Sequence, residues 1–258
     1  MNLTNKTVLA SGATGGIGKA SAIKMSQLGA SVILLARNEE KLKLTLNELD
    51  SSQGQNHSYL IADFSEENSI DTVCEEIETL KIDILLNNTG GPAGGPIIDA
   101  DYSAFINTFN QHLVANHKLT QAVLPNMKNQ PYGRIINVIS TSVKAPLNGL
   151  GVSNTIRGAV ANWAKTMANE LGKFNITVNN VLPGATNTGR LNEIFEAKSK
   201  KTGQSISDIK KGMESIVPMG RIAEPEEVAN AISFLASPLA SYINGINLPV
   251  DGGRTPCL

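Results

Sequence analysis

Apolar residues fall along the chain in two alternating patterns. Short unbroken runs, such as Thr7-Val8-Leu9-Ala10 and Val32-Ile33-Leu34-Leu35-Ala36, have the pattern of strands covered on both faces. Between them, apolar positions recur every three or four residues: Ala20, Ile23, Met25 and Leu28, then Leu42, Leu46 and Leu49, then Ile70, Val73, Ile77 and Leu80. That spacing predicts amphipathic helices. Further strands are predicted at 58–62, 82–86, 134–139, 176–182 and 246–250, and further helices at 101–124, 153–174 and from 224. Asn38 and Ser65 are suited to cap the helices they precede, and Pro225 suits a first turn. Repeated strand–helix units predict a parallel α/β sheet, doubly wound, of about seven strands with helices on both faces, the Rossmann fold. No linker or low-complexity stretch divides residues 1–258, so one domain is expected.

Polar and glycine-rich punctuation sits where each predicted strand ends, which is where such sheets bind ligands. After the first strand comes Ser11-Gly12-Ala13-Thr14-Gly15-Gly16-Ile17-Gly18. A tight glycine turn into a helix aims several N–H groups at one spot that the helix dipole makes favourable for a phosphate. An ordinary βα turn holding four glycines is the plainer alternative. Arg37 follows the second strand, Asp63-Phe64 the third, Asn87-Asn88-Thr89-Gly90 the fourth, Ser140 the fifth, and Pro183-Gly184 through Thr188 the sixth. One crevice lined by all six is a stronger indication than any single turn. The breaker-rich loop 90–96 and the lysine-rich, weakly periodic stretch 189–216 read as insertions over that crevice, the second as a substrate lid.

Composition narrows the partners. Lys and Arg number 22 against 23 Asp and Glu, for a net charge of −1, and there is no basic block to bind nucleic acid or an anionic membrane. Cys74 and Cys257 lack metal or disulfide spacing, and three scattered histidines make no metal site. The first residues lack a signal peptide's apolar core and no run reaches membrane-span length, so a cytoplasmic protein is expected.

With these residues in place the chain resembles the short-chain dehydrogenase/reductase family over essentially its full length. Gly12-x-x-x-Gly16-x-Gly18 matches the family's cofactor turn. Asp63 matches its acidic residue near adenine, and Asn87-Asn88-Thr89-Gly90 its Asn-Asn-Ala-Gly with Thr89 for Ala. Pro183-Gly184 with Thr188 matches its nicotinamide-side loop, and Val250-Asp251-Gly252-Gly253 its C-terminal signature. Pro218-Met219-Gly220-Arg221-Ile222 and Glu226-Glu227-Val228-Ala229 are similar to reductases of β-ketoacyl-carrier-protein type. The resemblance implies a dinucleotide held by Gly12, Thr14, Gly15, Gly16, Ile17, Gly18, Asp63, Phe64, Asn88, Gly90, Pro183, Gly184 and Thr188, a carbonyl or acyl-thioester substrate, and a homotetramer or homodimer. NAD-binding relatives place an acid at the end of the second strand. Here Ala36 is followed by Arg37, and a guanidinium pairs with a 2′-phosphate where an acid would repel it. NADP(H) is expected over NAD(H).

The family's catalytic set implies Ser, Tyr, a Lys four residues after the Tyr, and an Asn on the preceding long helix. Ser140 fits the serine. The other positions hold Ser153, Arg157 and His112, a pattern resembling a divergent subgroup with Ser-x-x-x-Arg for Tyr-x-x-x-Lys. An alkyl hydroxyl is a far weaker acid than a phenol, so His112, Lys144 or water is left to supply the proton. Ser153 reads either as a substrate contact or as the cap of its helix. Arg157 reads as a ribose ligand or a structural ion pair, and His112 as a proton donor or a satisfied helix histidine. Two functions stay open: an NADP(H)-dependent oxidoreductase, and a dinucleotide-binding sensor or scaffold with little turnover.

Overall fold

Seven parallel strands lie in the order β3-β2-β1-β4-β5-β6-β7 in a computed structural model that describes residues 1–257. The strands are β1 (Thr7–Ser11), β2 (Ser31–Ala36), β3 (Ser58–Ile61), β4 (Ile84–Asn88), β5 (Gly133–Val138), β6 (Ile176–Pro183) and β7 (Asn247–Val250). The helices between them are α1 (Gly16–Gln27), α2 (Glu39–Leu46), α3 (Glu67–Glu78), α4 (Tyr102–Phe109), α5 (Ala115–Lys128), α6 (Gly151–Leu171), α7 (Gly189–Thr202), α8 (Ile206–Glu214) and α9 (Pro225–Ala236). Strand order reverses between β1 and β4, and that reversal opens a crevice beyond their carboxyl ends.

The apolar runs are continuous because successive side chains enter different cores. Val8, Ala10, Ile84, Leu86 and Ile136 face Met25, Leu42, Val228 and Ile232 on one side of the sheet. Leu9, Leu85 and Ile135 face Val73, Ile77, Leu119 and Ala164 on the other. No helix among the described residues is long and apolar enough to cross a membrane.

Several expectations shift locally. β4 starts two residues later than the apolar run suggests and runs out to Asn88. Leu49 is buried but lies beyond the end of α2, which stops at Leu46. Asn38 does cap α2, accepting the Lys41 N–H at 2.9 Å. Ser65 caps nothing: its hydroxyl and N–H both bind Asp63, and α3 begins after Glu66. The long stretch 101–124 is interrupted by a π turn at Asn110–Val114 between α4 and α5. Stretch 189–216 forms two helices, α7 and α8, packed on one another through Leu191, Phe195 and Ile209. Val160, Met167 and Leu171 of α6 are buried beneath the chain's own sheet.

An unexpected feature levels the strand ends. Asn87, Asn137, Asn180 and Asn247 stand opposite one another on β4 to β7. Their amides form a chain: Asn87 Nδ2 donates to Asn137 Oδ1 (2.9 Å), Asn137 to Asn180 (2.8 Å) and Asn180 to Asn247 (2.8 Å). One register error anywhere would leave buried amides unpaired, so the ladder fixes how far each strand projects into the crevice.

Candidate active site

The glycine turn is built by exclusion. Gly12 (φ 60°) and Gly16 (φ 50°) adopt left-handed backbone, which side-chain-bearing residues rarely do. A Cβ on Gly12 would overlap the Asn88 carbonyl, and one on Gly18 the Gly12 carbonyl. Asn88 locks the approach: its Nδ2 donates to Gly12 O at 3.1 Å, and its N–H to the Ser11 hydroxyl at 2.9 Å. The start of α1 has no side-chain cap and no acid in its first turn, and open space lies before Gly15. Uncapped N–H groups at a helix start facing open space fit an anion such as a pyrophosphate.

Beside this turn lies a hollow of about 320 Å³ lined by Gly12, Thr14, Arg37, Phe64, Asn88 and Gly90. Arg37 is largely exposed and rests 3.6 Å from the Asp63 carboxylate. The Ser65 hydroxyl and N–H, with the Arg37 charge behind them, hold the Asp63 carboxyl below its ordinary pKa. Thr188 closes the other side of the turn. Its hydroxyl accepts the Leu191 N–H as the cap of α7, and its methyl packs where a Gly16 Cβ would go. Gly15 and Ile17 do not line the hollow, and the Ile17 side chain packs against the core.

A larger cleft of about 880 Å³ adjoins the ends of β5 and β6, with Ser140, Pro183 and Gly184 in its wall. The Ser140 oxygen accepts the Ser142 N–H at 3.1 Å, which leaves the hydroxyl proton free to donate. The Arg190 guanidinium on α7 donates to the Pro92 carbonyl at 2.7 Å, tying the lid to the breaker-rich loop 90–96.

The other three expected catalytic positions lie outside the lining of this cleft. Ser153 lies inside the first turn of α6, whose cap position is Leu150, so it is not a cap. Arg157 makes no ion pair among the described residues. It is 7% exposed, and its guanidinium donates to the main-chain carbonyls of Val138 (2.7 Å) and Thr89 (3.4 Å). Burial alone pulls its pKa down to about 10. His112, in the π turn, is 1% exposed, with Nδ1 2.5 Å from the Thr89 hydroxyl and Nε2 unpartnered among the described residues. Burial, then the nearby Arg157 charge, push it down to about 3 against a weaker opposing bond with Gly90. An imidazole held neutral at pH 7 serves as a hydrogen-bonding group rather than as a cationic acid. Lys144 is not in the wall of the cleft. Two lining residues went unread in the sequence, Arg190 and Arg254. A cation directly after the Val250-Asp251-Gly252-Gly253 turn was the available signal for the second.

The sequence profile of the family described as Enoyl-(Acyl carrier protein) reductase matches residues 12–255. The 3-oxoacyl-[acyl-carrier-protein] reductase FabG of Aquifex aeolicus is 32% identical over 257 residues, 98% of each chain. Among solved structures, YwfH, an NADPH-dependent reductase involved in bacilysin biosynthesis, superposes with a TM-score of 0.92 at 29% identity, covering 99% of this chain and 100% of that one. L-sorbose reductase from Gluconobacter frateurii, solved with NADPH and L-sorbose, gives 0.93 at 28% identity over 100% and 99%.

Proposed function

We propose that this chain, which belongs to the short-chain dehydrogenase/reductase family, is an NADP(H)-dependent reductase of a carbonyl group and works without the family's tyrosine acid. NADPH, when bound, supplies the hydride. The glycine turn and α1 start hold its pyrophosphate, and Arg37 turns from Asp63 to pair with the 2′-phosphate. The NADPH dependence of YwfH and the NADPH bound in L-sorbose reductase support that cofactor choice.

The observation that carries the reading is Ser140. Its acceptor site is filled by Ser142 and its hydroxyl hydrogen is free, in the wall of the 880 Å³ cleft. Donating that hydrogen bond to a carbonyl oxygen draws charge from the carbon and stabilises the oxygen's developing charge. The proton that completes the alcohol comes from water in the open cleft. Losing a positioned acid costs ~10²–10⁴ in rate. Arg157 serves by holding the ends of β4 and β5 together, with Ser140 two residues beyond Val138.

A second reading, a dinucleotide-binding sensor or scaffold with little turnover, is favoured by one observation: neither Ser153, Arg157 nor His112 brings an acid group into the cleft. Purified protein mixed with NADPH and a panel of ketones and ketoacyl thioesters separates the two. Slow NADPH oxidation that Ser140→Ala abolishes is expected for the reductase. Binding of NADPH with no oxidation across the panel favours the sensor.

A further inference from the structure

The cleft that holds Ser140 has an apolar body, with Leu147, Leu150, Leu191, Ile194 and Met213 among its walls. Three ionisable side chains line it: Arg190, Glu193 and Arg254. Two of these cancel. Arg190 Nη1 lies 3.1 Å from Glu193 Oε2, and its other nitrogen is used on Pro92. Arg254 differs. Among the described residues no carboxylate lies within 4.0 Å of it, and its side chain makes no hydrogen bond, although the residue is half-buried. Among the described residues the lining therefore carries one uncompensated positive charge.

Arg254 is also held in place by its turn. The Asp251 carboxylate accepts the Gly253 N–H at 3.0 Å, the Thr255 N–H at 2.8 Å and the Thr255 hydroxyl at 2.5 Å. The Arg254 N–H itself donates to the Asp251 carbonyl at 3.3 Å. The turn packs Asp251 against Gly184, in the wall of the same cleft. A cation carried on an anchored turn at the edge of an apolar cavity, with its planar donors unspent, matches a carboxylate in shape and charge. A single spare charge suits a monoanion rather than a phosphate dianion.

We propose that the cleft takes an oxo acid, a carbonyl compound with a short apolar body and a free carboxylate, and that Arg254 recognises the carboxylate. This assignment rests on the reductase reading and names its substrate class. It sets the chain apart from a reductase of neutral ketones or of acyl groups carried as thioesters.

The test is calorimetric titration of the protein saturated with NADPH, using hexanoate, hexanamide and the hexanoyl thioester of N-acetylcysteamine. Hexanoate is expected to bind about tenfold or more tightly than hexanamide, the worth of one charge-assisted pair. Arg254→Gln removes that preference and leaves NADPH affinity unchanged. Equal binding of acid and amide, tighter binding of the thioester, or a preference that survives Arg254→Gln overturns the proposal. If Arg254→Gln does not fold, Arg254→Lys carries the test. Losing the planar fork should shrink the preference for hexanoate over hexanamide severalfold with hexanamide binding unchanged, and a preference equal to that of the wild type overturns the proposal. Failure of NADPH to bind in the first titration is a failure of the reductase reading itself, and so is distinguishable.

Discussion

His112 and Arg157 show how a buried residue's neighbours reset its chemistry. His112 is neutral in the folded protein, with a pKa of about 3 against 6.5 for a free histidine. Its folded-state pKa is depressed, so the unfolded chain binds the extra proton first as pH falls. Stability is complete above pH 6.5 and declines through the window from 6.5 to about 3. Between pH 7.5 and 5.5 the loss from this one group is about 1.4 kcal/mol, one pKa unit's worth. Urea unfolding at the two pH values should show it, and His112→Asn should remove that part of the slope. A His112→Asn protein with the wild-type pH dependence would contradict the assignment. Arg157→Met should raise the His112 pKa by taking away the adjacent charge, visible in an NMR titration of the ring. In the proposed function Arg37 sets the cofactor choice. Arg37→Asp, placing an acid against the 2′-phosphate, should weaken NADPH by about 10- to 100-fold and spare NADH. Fluorescence titration with each nucleotide measures this, and equal loss for both would remove Arg37 from the assignment.

At the scale of elements, strands were legible because a strand buried on both faces must be apolar throughout, and β1 and β2 fall within a residue of their runs. Helix interruptions were not legible. The π turn at Asn110–Val114 leaves no gap in the apolar spacing, yet it is where His112 becomes buried. Spacing placed Ser153 and Arg157 on the correct helix but did not say which way a long side chain turns. For Arg157 that was decided by two strand-end carbonyls left without partners. The asparagine ladder was missed because the four residues are far apart in sequence and only strand order brings them level. Asn137 is one of its two inner members, giving one bond and receiving one. Asn137→Ala would strand Asn87 Nδ2 and Asn180 Oδ1 in the sheet interior, and each buried orphan costs about 1–3 kcal/mol. A loss of roughly 2–4 kcal/mol in urea unfolding is expected. A change below ~0.5 kcal/mol would mean the ladder is incidental.

The whole molecule presents a crevice on one side and an apolar strip on another. The family resemblance implies a homodimer or homotetramer, and the apolar face of α6 at Val160, Trp163, Met167 and Leu171 suits either pairing or core packing; Val160, Met167 and Leu171 fill the chain's own core, with Trp163 partly buried against it. What stays open to solvent is Ile98 at 89% exposure, Tyr102 at 79% and Ile106 at 55%. Ile98 lies in the 3₁₀ turn just before α4, and Tyr102 and Ile106 lie on α4 itself. Tyr102 and Ile106, four apart on α4, share one face of the helix, and Ile98 precedes them in the chain. Contiguous exposed apolar surface of this kind marks a contact with another molecule, and a second copy is the partner the family resemblance implies. The strip starts where the breaker-rich loop 90–96 ends, and that loop carries the Pro92 carbonyl held by Arg190. Assembly would therefore steady one wall of the cleft as well as cover the strip. Light scattering should give a mass of at least twice 27.3 kDa. Ile106→Glu, which puts a charge on the exposed apolar face of α4, should shift the protein toward the monomer mass and raise the KM for the carbonyl substrate more than the Kd for NADPH. A wild-type protein that is monomeric at tens of micromolar would remove α4 as the pairing face. A dissociated Ile106→Glu variant with unchanged KM would separate assembly from the cleft.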